Sequence, residues 1–134
     1  MKKSQSMRKI LFRGKKWKTG EWIYGSLICD KEGKPYAICQ QSHNPVQNGV
    51  IEGWVFGVDP ETVGQFIGPK DRNGKEIFEG DIVKDKYGIS ILIFDDISWA
   101  LKSPGSEAVD YECRHYFEEC VVIGNIHDNP ELIS

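Results

Sequence analysis

Long apolar stretches are missing from this sequence. Past the N-terminal region the longest run, Ile91-Leu92-Ile93-Phe94, is far too short to cross a bilayer. The basic start, Met1 to Ile10, looks like the first part of an export signal. Only Ile10-Leu11-Phe12 follows before Arg13 interrupts, well short of the apolar segment such a signal needs. Neither export nor membrane embedding is signalled, so the expected location is the cytoplasm, with no membrane partner.

Cysteine and histidine are also sparse, at four and three residues. A reducing cytosol disfavours structural disulfides. Cys29 and Cys39, and Cys113 and Cys120, lack the two-residue spacing of a zinc knuckle. Cys113, His115 and Cys120 could be assembled into a zinc site on ligand type alone. The alternative, that these thiols act as small core hydrophobes, needs no further ligand. His43 falls in a loop and His127 beside a turn, positions where histidine usually faces solvent or caps backbone. No metal and no cofactor is expected.

A phosphate-cradling loop is absent too: Gly64-Gln65-Phe66-Ile67-Gly68 has neither the Lys nor the Ser/Thr of a P-loop. Adjacent carboxylates at Asp95-Asp96 and Glu118-Glu119 point to opposite faces of a strand and cannot share a proton. Glu79 and Asp81 could face the same way, which leaves a weak acid/base or Mg²⁺ arrangement with no second cluster beside it. No nucleophile lies beside an evident base. The chain is expected not to be an enzyme.

What remains is ordinary globular composition: 134 residues, 40% hydrophobic, 28% charged and a net charge of −3. That length buries about two-thirds of the unfolded surface, enough for a core without metal or disulfide staples. Fourteen glycines and fifteen aromatics lean toward strands and tight turns. Charge is unevenly placed: residues 1–18 carry eight bases and no acid, while residues 95–134 carry nine acids and two bases.

Punctuation along the chain is that of hairpins. Strands are expected at Arg8–Lys16, Trp22–Cys29, Pro35–Gln40, Val50–Val58, Lys75–Phe78, Asp81–Lys84, Ile89–Asp95, Ile97–Leu101 and Cys120–Ile126. A short extended piece at Thr62–Ile67 is expected to stop at Gly68-Pro69. Ser42–Gly49 reads as a loop because Asn44-Pro45 and Asn48-Gly49 break it. Asp71-Arg72-Asn73-Gly74 is the strongest turn signal, since Asn and Gly tolerate positive φ. Val109–Glu119 fits a helical turn and a strand equally well. Short strands at this spacing indicate a small barrel or sandwich.

The segment from Thr62 to Val83, Thr-Val-Gly-Gln-Phe-Ile-Gly-Pro-Lys-Asp-Arg-Asn-Gly-Lys-Glu-Ile-Phe-Glu-Gly-Asp-Ile-Val, resembles the signature of the YopX family of phage and prophage proteins. Phe12-Arg13-Gly14-Lys15 and the stretch from Ile123 to Leu132 fit the same pattern, so the resemblance brackets nearly the whole chain. Pro69 stands where Leu is commoner, and residues 29–58 and 95–118 carry little of the pattern. The resemblance implies a mainly β fold with little helix. It places a small SH3-like barrel in the C-terminal part (61–134) and further antiparallel hairpins in the N-terminal region (1–60). It implies a phage or prophage source and no activity. Read from its residues, the signature is architecture: Gly64, Gly68, Gly74 and Gly80 at bends, apolar side chains for core faces, and Asp81 capping entry into a strand.

A binding route remains. Trp17, Trp22 and Tyr24 lie beside Arg13, Lys15, Lys16 and Lys18, the aromatic–basic interleaving used by single-stranded nucleic-acid sites. The same residues could anchor self-association, and Trp22 could pack in a core. The expectation is therefore a non-enzymatic binding or assembly module. Its partners are a second copy of itself and an unidentified host or phage macromolecule. Nucleic acid at the N-terminal region is the first alternative and a metal-dependent hydrolase at Glu79 and Asp81 the second.

Overall fold

A computed structural model describes residues 9–47, 50–95, 98–106, 109–110 and 117–134. The fold is mainly β, with helix limited among these residues to two 3₁₀ turns, Pro60–Thr62 and Pro130–Leu132. No helix among them is long and apolar enough to cross a membrane. The chain divides into two compact units, Met1–Gln65 and Phe66–Ser134.

The first unit holds β1 (Phe12–Lys15), β2 (Trp22–Cys29), β3 (Pro35–Gln47) and β4 (Val50–Gly57), paired antiparallel in chain order. The first two residues of β5 (Gly64–Lys70) pair with the free side of β1, Arg13 opposite Gly64. Alternation along β1 and β2 sends Ile23 inward, where it packs with Ile38 and Val58. Phe12, Leu27, Phe56 and Val63 cover that cluster. Past β4, the Asp59 side chain caps the first 3₁₀ turn by accepting from Glu61 N–H at 3.0 Å. Thr62 Oγ1 then accepts Lys15 N–H at 2.9 Å, pinning that turn to the end of β1. An isolated antiparallel bridge joins Lys16 to Val58.

In the second unit the rest of β5 pairs with β6 (Glu76–Phe78). Strands β7 (Asp81–Asp85), β8 (Gly88–Asp95), β9 (Ser98–Lys102), β10 (Val109–Asp110) and β11 (Val121–Asn125) form an antiparallel sheet in the order β10-β9-β8-β7-β11. Its core gathers Ile77, Val83, Leu92, Leu101, Phe117 and Cys120, with Ile67 and Val122 against it. Cys120 is thus packed as a core hydrophobe, at 1% exposure.

Three hairpins share one turn chemistry. Asp30 Oδ1 accepts from the backbone N–H of Glu32 and Lys34, both at 2.9 Å. Asp71 Oδ1 does the same for Asn73 (2.8 Å) and Lys75 (2.9 Å), and Asp85 Oδ1 for Tyr87 (2.8 Å) and Gly88 (3.2 Å). Each carboxylate satisfies backbone donors that a hairpin end leaves orphaned.

Several boundaries differ from expectation. β1 begins at Phe12 and ends at Lys15, because the Lys16 carbonyl turns to accept Gly20 N–H at 2.9 Å. β3 runs through Asn44-Pro45 to Gln47 instead of ending at Gln40. Its ladder to β4 absorbs the proline in an irregularity: Gln41 pairs with Gly53, and the next pair is Val46 with Ile51. β5 likewise continues through Gly68-Pro69 to Lys70, with a bulge between the pairs Phe66–Phe78 and Lys70–Glu76. Gly68 supplies the positive φ, +114°, that this bulge needs. Gly74 and Gly80 also have positive φ, whereas Gly64 is an ordinary extended residue opposite Arg13. In the ambiguous stretch, Val109–Asp110 is strand and Phe117–Glu119 is turn; residues 111–116, with Cys113 and His115, lie outside the described residues.

Candidate functional site

The β1–β2 ladder sets Arg13 opposite Tyr24 and Lys15 opposite Trp22. Direct partners share a face, so these four side chains leave the sheet on the side away from Gly14 and Ile23. The Arg13 guanidinium carbon lies 4.6 Å from the Trp22 ring centre and Lys15 Nζ lies 5.4 Å from it. Both distances fall within cation–π range. Arg13 is only 5% exposed. It is a buried cation stacked on an aromatic, and a ligand does not reach it from solvent.

Lys16 is committed elsewhere. Its Nζ sits 3.2 Å from Glu21 Oε1 and 4.1 Å from the centre of the Phe56 ring. Trp17 is 65% exposed and Tyr24 43%. Lys18 is exposed as well. The seven residues singled out in the sequence therefore separate into a packed group (Arg13, Lys15, Trp22), an engaged lysine (Lys16) and a solvent-facing group (Trp17, Lys18, Tyr24).

Other exposed residues were not legible as a site beforehand. Trp54 and Val55, adjacent on β4, are 63% and 60% exposed. Their only sequence signal is the apolar triplet Trp54-Val55-Phe56, which reads equally well as core. In the second unit, Phe94 packs edge-on against Trp99 with ring centres 4.8 Å apart. An open cleft of about 260 Å³ is lined by Arg72, Asp85, Lys86, Tyr87, Glu118 and Glu119.

Two carboxylates of the signature, Asp71 and Asp81, are turned inward to backbone, while Lys70, Arg72, Asn73 and Lys75 are exposed and Glu79 is half-buried. Asp81, 1% exposed, accepts Phe78 N–H at 2.8 Å and pairs with Asn125 across the β7–β11 ladder. That is the cap expected of it, and it takes Asp81 out of reach of a substrate. The other Asp71 carboxylate oxygen accepts Val122 N–H at 2.9 Å. Burial alone would raise the Asp71 pKa, but the N–H groups of Val122, Lys75 and Asn73, together with the Lys75 charge, hold it below the ordinary value.

The C-terminal flank closes on the same region. Ile126 N–H donates to the Gly80 carbonyl at 2.9 Å. Asn125 Oδ1 accepts from the N–H groups of His127 (3.0 Å) and Asp128 (2.9 Å), and Asn129 Oδ1 accepts Asn125 N–H at 3.2 Å. A Cβ at Gly124 would lie 2.5 Å from Asn129 Oδ1, so glycine is required there by close approach.

Charge divides between the units. Met1–Gln65 has ten Lys/Arg against six Asp/Glu, a net of +4; Phe66–Ser134 has seven against fourteen, a net of −7.

These features define a two-unit, antiparallel β protein in which the motif aspartates Asp71 and Asp81 serve backbone. A family profile described as YopX protein matches residues 11–134, and the chain belongs to the YopX family. Among solved structures it is similar to protein EF1440 from Enterococcus faecalis, with a TM-score of 0.60 and 23% identity. That similarity covers 96% of this chain and 100% of the other, and it speaks to fold alone. Among curated proteins none matches.

Proposed function

We propose that this chain is a non-enzymatic binding and assembly module of phage or prophage origin. It works in the cytoplasm of a bacterial host, self-associates, and engages a host or phage macromolecule. The observation that carries this reading is the fate of three buried polar side chains, two in the signature and one in its C-terminal flank. Asp71, Asp81 and Asn125 are all at most 9% exposed and all accept backbone N–H groups. A catalytic carboxylate needs a substrate within hydrogen-bond reach, and these are occupied by the fold.

The second unit supports an SH3-like barrel reading through its connectivity: a meander, β7 to β10, followed by a last strand that returns to pair with the first. Such scaffolds host many functions, so the reading rests on the placement of these side chains and not on the fold class.

Light scattering at micromolar concentration, with a pull-down from infected host cells, tests the proposal. The expected result is a self-associated species that retains a macromolecule. A strict monomer that retains nothing would overturn it.

Nucleic-acid binding by the first unit is a second reading, favoured by that unit's net charge of +4 and by exposed Trp17, Lys18 and Tyr24. It predicts affinity that drops steeply with added salt and with Trp17→Ala/Lys18→Ala. Undetectable binding to single- and double-stranded probes at low salt ends it.

A further inference from the structure

We infer that the outer edge of β4 is a strand-addition site whose occupant is the β4 of a second copy of this chain. The inference rests on the assembly reading above and gives it a surface. Val58 N–H donates inward to the Tyr36 carbonyl of β3, and the Gly57 carbonyl accepts Trp17 N–H on the opposite side. Backbone groups alternate sides along a strand, so Ile51, Gly53 and Val55 direct their N–H and C=O groups away from β3. The Trp17 contact covers that edge at Gly57. Among the described residues no strand pairs with the edge before it.

Edge strands in folded proteins usually carry a Lys, a Pro or a short length that blocks pairing. β4 has eight residues, no Lys and no Pro, and one charge, Glu52. Trp54 and Val55, next to Gly53, are apolar, and both face solvent. What fits a row of open backbone donors and acceptors is another strand.

Self-pairing is the occupant that β4's own pattern satisfies. A two-fold axis perpendicular to the sheet, midway between the two Gly53 residues, sets Gly53 opposite Gly53 and Val55 opposite Ile51 of the second copy. All three outward residues are then used, in about six backbone hydrogen bonds. Glu52 comes opposite Trp54 and not opposite a second acid, so no like charges meet. The interface is isologous and closes at two copies.

The test compares wild type, Val55→Pro and Val55→Lys by light scattering across micromolar concentrations, alongside backbone hydrogen exchange. Wild type is expected at twice the 15.2 kDa chain mass. Protection of the Ile51, Gly53 and Val55 amides should rise with concentration. Val55→Pro deletes an N–H that no β3 bond uses, so it should halve the mass while keeping the β circular-dichroism spectrum. Val55→Lys leaves the backbone intact and should weaken pairing about tenfold. If Val55→Pro fails to fold, Val55→Lys and the exchange data decide. A wild-type monomer throughout the range overturns the inference and the self-association in the proposed function, leaving macromolecule capture standing. An oligomer with unprotected β4 amides, indifferent to both variants, overturns the edge alone and keeps the assembly reading.

Discussion

The Asp71 carboxylate reaches across 51 residues of chain to accept Val122 N–H at 2.9 Å, while its other oxygen holds the turn at Asn73 and Lys75. One side chain thereby ends a hairpin and fixes the start of β11. Removing it leaves three backbone donors short of a partner in a site 6% exposed. Asp71→Ala is expected to cost about 1–3 kcal/mol, read as a lower urea midpoint with an unchanged slope.

The same carboxylate makes stability depend on acid. Its folded pKa lies below the ordinary carboxylate value of about 3.8, so the unfolded chain takes up the proton first. The stabilisation is present above about pH 3.8 and is lost as pH falls through the folded pKa. Urea midpoints measured down through this window should fall less steeply for Asp71→Asn than for wild type. Parallel curves would remove Asp71 as a source of acid sensitivity.

Gly124 and Asn129 are expected to behave as one unit. Gly124→Ala drives a methyl group into the Asn129 side chain and should cost about 1–3 kcal/mol. In an Asn129→Ala background only the contact with the residue-129 Cβ at 3.1 Å remains, so the second substitution should cost clearly less. A double-mutant cycle that adds simply would contradict the close approach.

Arg13 and Trp17 separate packing from binding. Arg13→Ala empties the space over the Trp22 ring and should lower stability by about 1–2 kcal/mol. Trp17→Ala changes a solvent-facing group and should leave the melting curve nearly unmoved. Equal losses at Arg13 and Trp17 would mean that the two share a role the structure does not give them.

Much of this architecture is readable from residues whose chemistry acts locally. The turns at Asp30, Asp71 and Asp85 follow from a short carboxylate that bonds its own backbone. Trp22–Cys29 is a strand with the boundaries its alternation indicates. Gly68-Pro69 and Asn44-Pro45 misled because they look like breakers, yet each sits in a ladder irregularity that depends on the partner strand. Cross-strand facts are likewise silent in the sequence. Arg13 reads as a surface base until β2 brings Trp22 beside it. The exposure of Trp54 and Val55 also depends on the strand order, which puts β4 at an edge.

The central claim is that the buried aspartates of the signature, Asp71 and Asp81, hold the fold together. Urea unfolding of Asp81→Ala tests it most directly, because Asp81 is 1% exposed and accepts Phe78 N–H at 2.8 Å. The account predicts a midpoint lowered by about 1–3 kcal/mol of stability. An unchanged midpoint would contradict it and return Asp81 to the list of functional groups.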